Sequence, residues 1–264
     1  MKEYFMSNLR TENKNGIGTI TLCRPGNMNA FDDPFIGEII TAFGSLQKND
    51  VRVVILRAEK GAKVWSAGRD IESVPAGAHD MDGWQTQMVA LGRVIREFPV
   101  PVIAMIEGSV WGYGCEVVFS CDVIVAVPEA TFAITPAKLG VTYVMEGLCT
   151  IVGRLGPNLA KEMLFCAVRM DASRLYAQGV INHVISSDDI ESYVDDMARN
   201  ITQLAPLTIT GLKKQISDIT ATFPLSPEIL AESDKLAVKT FGSDDYREGV
   251  SAFKEKRKPE FTGQ

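Results

Sequence analysis

The chain has 264 residues, 46% of them hydrophobic, and a formal net charge of -6. That length makes one large domain, or a domain with an appendage, around a substantial core. The acidic balance argues against general nucleic-acid binding, which needs a broad basic surface, and no apolar run approaches the roughly 20 residues of a membrane span.

In chain order, residues 16–22 alternate as a strand and stop at the turn cluster Arg24-Pro25-Gly26-Asn27. Phe35, Ile36, Ile39, Ile40, Phe43 and Leu46 share one face of a helix over about 33–48. Residues 51–57 read as a second, buried strand, followed by a small-residue run from Gly61 that ends in Arg69, Asp70 and Ile71. The Gly- and Pro-containing stretch 73–83 reads as a mobile lid. A helix over about 84–97 leads into the buried strand 101–107, and 123–127 is a further strand before Thr131–Pro136. Strands alternating with helices in this way indicate an α/β core with crossovers.

Later segments lean helical. Asp171 caps a helix over 172–178 with Gly179 as its stop. Ile190, Tyr193, Val194, Met197, Ile201 and Leu204 form one apolar stripe. Ser226-Pro227 reads as an N-cap with proline at the first helical position, and Ser243-Asp244-Asp245 opens a last helix with acids at its positive end. The chain divides into a core over 1–204 and a helical region over 205–264, whose amphipathic faces pack on the core or on a neighbouring subunit.

Cys23, Cys115, Cys121, Cys149 and Cys166 are odd in number, apolar in context and without a C-x-x-C pair. They read as reduced thiols of a cytoplasmic protein, and the start of the chain lacks the apolar core and cleavage site of a signal peptide. His79 and His183 fall outside any ligand spacing, so no metal site is expected. Ser109 sits one position wrong for the nucleophile of a G-x-S-x-G elbow.

Two turns carry the chemistry. Gly112-Tyr113-Gly114-Cys115-Glu116 follows a buried strand, and its glycines let the backbone approach a ligand closely while leaving the next helix's first amides unpaired. Glu116 is a lone carboxylate among Cys, Val and Phe, costly to bury without a task or a partner. Ser66-Ala67-Gly68-Arg69-Asp70 has the same construction. Side by side, such turns could each aim one N–H at a single carbonyl oxygen, an oxyanion hole. The bland alternative is a pair of tight turns whose glycines only permit close packing.

These turns, with Arg24-Pro25, Met28-Asn29-Ala30, residues 171–184 and the terminal Phe253–Pro259, resemble the crotonase (enoyl-CoA hydratase/isomerase) superfamily and its A-G-x-D and G-G-x-x-E patterns. The resemblance implies a spiral of ββα units followed by a C-terminal helical trimerisation region, a homotrimer or dimer of trimers, and an acyl-CoA thioester substrate with no other cofactor. It implies that the amides of Ala67 and Tyr113 hold the thioester oxygen, and that Arg24, Ala30, Gly68, Arg69, Asp70, Ile71, Thr135 and Lys256 contact the substrate or its coenzyme A. Hydratases of the superfamily use two glutamates. The first matches Glu116, but the place of the second is taken by Pro136, which cannot carry a proton.

Residues 63–68, 107–112, Thr135-Pro136, 139–141 with Tyr143, and 255–259 resemble instead the branch that decarboxylates malonyl-type thioesters, methylmalonyl-CoA to propionyl-CoA. There the oxyanion hole stabilises the enolate left by CO2 and a tyrosine matching Tyr143 holds the carboxylate, with no metal or biotin. The chain departs from that branch at Arg69, where it has histidine, and at Tyr113, where it has glycine. Arg69 would slow CO2 loss by pairing with the substrate carboxylate, or help it by facing the thioester oxygen or a CoA phosphate.

Each residue also has a plainer reading. Tyr143 could be core with one hydrogen bond, Glu146 a helix-start residue, Asp70 a cap, and Lys256 part of a solvated basic tail. The competing functions are a single-glutamate enoyl-CoA hydratase or isomerase with Glu116 as acid/base, and a CoA-binding protein without turnover.

Overall fold

The computed structural model describes residues 2–6, 8–73, 81–220 and 227–263. Strands β1 (Lys2–Met6), β2 (Leu9–Lys14) and β3 (Ile17–Leu22) form an antiparallel meander. From β3 the sheet continues in parallel through β4 (Val53–Ala58), β6 (Val102–Ile106), β8 (Val123–Ala126) and β11 (His183–Val184). Every residue of β6 is buried, as expected for a strand covered on both faces.

After each long parallel strand the chain adds a short one to a second sheet. β5 (Val64–Ser66), β7 (Ser109–Trp111) and β9 (Thr131–Ala133) pair in parallel, and β10 (Arg169–Asp171) closes the edge against β9. Helices complete the units: α2 (Met81–Glu97) follows β4 and β5, α3 (Tyr113–Phe119) follows β6 and β7, and α4 (Met145–Phe165) follows β8 and β9. This is the expected spiral of ββα units. Its consequence for function is that the ends of β5 and β7 are neighbours.

Local chemistry accounts for the helices. Asp32 accepts a hydrogen bond from Phe35 N at 2.8 Å and caps α1 (Asp33–Lys48), which has proline in its first turn and buries Phe35, Ile36, Ile39, Phe43 and Leu46. Asp171 likewise caps α5 (Ala172–Ala177) through Arg174 N at 2.7 Å. α4 is broken at Gly156, whose φ of 70° precedes Pro157. Helix α2 begins at Met81, three residues before the expected start. The lid falls largely on residues 74–80, outside the described residues, as does Ser226 of the expected cap.

The C-terminal helices are α6 (Ile190–Gln203), α7 (Pro206–Thr220), α8 (Pro227–Phe241) and α9 (Asp244–Lys254). α7 is anchored by the buried Lys213, whose Nζ donates to Ile95 O (3.2 Å), Val100 O (3.0 Å) and Asp122 Oδ2 (2.6 Å). Ala237, Phe241 and Tyr246 pack with Val141 and Val250. Leu207, Leu212, Ile216, Ile219, Leu230 and Leu236 remain exposed on α7 and α8. Among the described residues no helix is long and apolar enough to cross a membrane.

Candidate active site

The turns after β5 and β7 lie against each other. Gly68 has φ 89°, and a Cβ there would stand 2.6 Å from Trp111 O and 3.3 Å from Tyr113 N. Only glycine permits that approach. Gly112 takes the second turn's positive φ of 50° and donates to Ala133 O at 2.8 Å. Tyr113 is then the first helical residue of α3, a position whose N–H has no intrahelical acceptor. The tyrosine at this place therefore carries no backbone strain, because its neighbour absorbs the left-handed angle. Its side chain points into the protein: the hydroxyl donates to Met88 O at 2.5 Å and the ring meets Phe31 edge-on at 5.4 Å.

The first turn corrects one expectation. Ala67 N donates to Met28 O at 2.9 Å, so it holds the turn to the 28–31 loop and cannot serve a ligand oxygen. Gly68 N donates to Ser66 Oγ at 3.0 Å. Phe31 N donates to Gly68 O (2.8 Å) and Asp70 N to Phe31 O (2.9 Å), a parallel bridge between Phe31 and Arg69. In such a bridge the flanking peptides face the partner strand, which turns the N–H of Arg69 itself away from Phe31.

The side chains of this turn are structural. Arg69 ion-pairs with Asp33 at the start of α1. The Asp70 carboxylate accepts from Glu72 N at 3.1 Å and its backbone carbonyl from Ser73 N at 3.0 Å, capping the single 3-10 turn Ile71–Ser73. Arg24 donates to Ala30 O (3.2 Å) and Asp32 Oδ2 (2.8 Å) and lies over the Phe35 ring, fixing the loop that carries Met28. An open pocket of about 180 Å³ borders this loop, lined by Pro25, Met28, Ala62, Lys63 and Val64 among others.

Glu116 sits one turn into α3 and is 2% exposed. Its carboxyl occupies a slot between two glycines: a Cβ on Gly147 of α4 would meet Oε2 at 2.5 Å, and one on Gly92 of α2 would stand 3.9 Å from Oε1. Among the described residues Oε2 has no hydrogen-bond partner. Burial pushes the carboxyl up to about 8, with Arg96 pulling it down and Glu146 pushing it further up. It is therefore largely protonated at neutral pH. Tyr143 keeps part of its surface open, and its phenol is raised well above the usual range by burial first and then by the charge of Glu116. Tyr143 thus lies near enough to Glu116 for that charge to act on it. The Cys115 thiol, donating to Val110 O at 3.3 Å, is pushed up by burial and takes no part as a thiolate.

Thr135 and Pro136 follow β9 directly, and β9 pairs with β7 through Trp111 and Ala133. That brings the 133–136 strand end alongside Gly112. Lys256 stands exposed past the end of α9, in no ion pair among the described residues and not joined to the turns. Glu146 lies in the first turn of α4 and binds Arg93 and Arg96. Arg96, Gly92 and Gly147 were not singled out by the sequence. The signal available was weak, two arginines three apart on α2 and a Glu-Gly pair opening α4.

Residues 12–264 match the family model described as enoyl-CoA hydratase/isomerase. The chain is 36% identical to the methylmalonyl-CoA decarboxylase of Escherichia coli K12, over 89% of this chain and 90% of that one. It is 28% identical to a probable mitochondrial enoyl-CoA hydratase of Dictyostelium discoideum, over 98% and 93%. A solved methylmalonyl-CoA decarboxylase in complex with 2-nitronate-propionyl-CoA superposes with a TM-score of 0.94 at 33% identity, covering 98% of this chain and 100% of the other.

Proposed function

The chain belongs to the enoyl-CoA hydratase/isomerase family, and on that premise we propose that this acyl-CoA enzyme decarboxylates a malonyl-type thioester, methylmalonyl-CoA to propionyl-CoA. The observation that carries the reading is the state of Glu116. It is a buried carboxyl whose Oε2 has no hydrogen-bond partner among the described residues and which burial holds up at about 8, while the resemblance puts Pro136 at the position where the family's hydratases carry a second glutamate. Activating a water needs a carboxylate base. Losing CO2 needs an electron sink and, afterwards, one proton.

The thioester oxygen lies between the amides of Tyr113 and Arg69. The bond to the carboxylate breaks, its electron pair passes into the thioester as an enolate, and CO2 leaves. Each amide strengthens its hydrogen bond as charge collects on the oxygen, an effect worth about 3 kcal/mol per donor. Tyr143 holds the carboxylate out of the thioester plane, so the breaking bond overlaps the carbonyl π system. Neutral Glu116 then gives its proton to the α-carbon and is reprotonated from solvent. The pairing of Arg69 with Asp33 supports this scheme, because its charge is then not directed at the substrate carboxylate, where it would stabilise the ground state.

The pocket beside Met28 and Lys63 suits the nucleotide end of coenzyme A, with Lys256 as a further phosphate partner. The exposed apolar faces of α7 and α8 support an assembly of several copies of this chain, for which the resemblance implies a homotrimer or dimer of trimers. A second reading, hydration or isomerisation of an enoyl thioester by Glu116 alone, is favoured by the likeness to the Dictyostelium hydratase. Purified protein given methylmalonyl-CoA, crotonyl-CoA and a 3-enoyl-CoA separates them. CO2 release from the first supports decarboxylation, and absorbance change on the enoyl esters alone supports the second reading. Binding of all three without turnover leaves a CoA-binding protein.

A further inference from the structure

Glu146 lies outside both turns, yet it governs what surrounds Glu116. Its carboxylate is held by two arginines of α2, Arg93 Nη2 at 2.8 Å and Arg96 Nη2 at 2.6 Å. Arg96 extends its other nitrogen, Nη1, to Thr150 Oγ1 (2.9 Å) and Ser120 Oγ (3.3 Å), and Ser120 Oγ donates to Glu116 O at 2.9 Å. The place where a Cβ of Gly92 would sit lies 3.1 Å from Arg96 Nη1 and 3.9 Å from Glu116 Oε1. A cation is thus brought beside Glu116 and tied to other groups. Left to itself, a guanidinium beside a buried carboxyl would pair with it and hold it ionised.

We propose that Glu146 is a positioning residue for the reaction: by holding the Arg96 guanidinium it withholds cationic charge from Glu116 and keeps that carboxyl able to deliver a proton to the α-carbon. Arg96 and Glu146 are the charged groups that act on the Glu116 carboxyl. Tyr113 on its own helix and Tyr143 before α4, which feel its charge, are neutral phenols at neutral pH. Arg93 stands behind Glu146 on the exposed side. The opposing effects of Arg96 and Glu146 on the Glu116 carboxyl agree with this arrangement.

The inference rests on Glu116 as the proton carrier, so its test reads that carboxyl directly. Difference infrared spectroscopy of the whole protein, with Glu116→Gln as the reference, follows the Glu116 titration without any substrate. Glu146→Gln is expected to lower the midpoint by about one pH unit, and the alkaline limb of turnover moves with it. Arg96→Gln raises the midpoint, and Glu146→Asp restores the original one. Opposite shifts from the two halves of one ion pair are not what a general loosening of α4 would give. An unmoved midpoint in Glu146→Gln overturns the inference, even if CO2 release persists. If no thioester is turned over, the proposed reaction fails while the infrared midpoint still decides this point.

Discussion

The Glu116 carboxyl lies against the Cα of Gly147, so closely that a Cβ at Gly147 would stand 2.5 Å from Oε2. This contact joins α3 to α4, and it demands glycine in the first turn of α4. Alanine would ordinarily favour a helix by about 1 kcal/mol over glycine. Here Gly147→Ala is expected to displace the Glu116 side chain and lower CO2 release by more than about tenfold, a barrier increase of about 1.4 kcal/mol. Turnover equal to the parent enzyme would show that the slot does not set the Glu116 position.

Tyr143 lies near enough to Glu116 to feel its charge, and in the proposed reaction it orients the substrate carboxylate. A hydrogen bond to a charged group contributes about 1.5–3 kcal/mol. Tyr143→Phe should therefore slow decarboxylation by more than about tenfold while leaving the melting temperature nearly unchanged. Unaltered steady-state kinetics would remove Tyr143 from the mechanism.

The pH dependence of stability follows from Glu116. Its folded-state value, about 8, lies above the unfolded value of 4.5. Between those limits the folded state holds a proton that the unfolded state has released, so stability falls as pH rises through that window. At about 1.4 kcal/mol per unit the loss reaches about 5 kcal/mol at most. Chemical denaturation at pH 5 and pH 8 should show Glu116→Gln lacking this loss, and CO2 release by the parent should decline above about pH 8. Parallel pH–stability curves for the two proteins would contradict the assignment.

Lys213 and Asp122 couple the C-terminal helices to the sheet. Lys213 is buried and Asp122 partly exposed, so removing Lys213 falls at the low end of the roughly 3–5 kcal/mol cost of breaking a buried pair. Lys213→Ala is expected to destabilise by about 3 kcal/mol in urea denaturation. A change close to zero would mean that α7 is held by other contacts.

The site was legible in the sequence to the extent that it is local. The glycines of the two turns and the lone Glu116 lie within short runs, and glycine, charge and apolar context speak directly there. That the Ala67 amide is taken within the protein was not legible, because its acceptor, Met28 O, lies far upstream in the chain. The Arg96–Glu146 pair was hidden for the same reason, its partners being separated by 50 positions. In the fold, helix α1 and the buried parallel strands follow their apolar spacing. The second sheet escaped because β5, β7, β9 and β10 are three residues each, too short to show a period of two.

The most direct measurement is a turnover of methylmalonyl-CoA in D2O, with CO2 and the thioester product quantified together. An enolate held by the Tyr113 and Arg69 amides and quenched by Glu116 predicts one CO2 for each propionyl-CoA, and one deuterium on its α-carbon. No CO2 from methylmalonyl-CoA, together with hydration or isomerisation of an enoyl-CoA by the same preparation, would contradict the account.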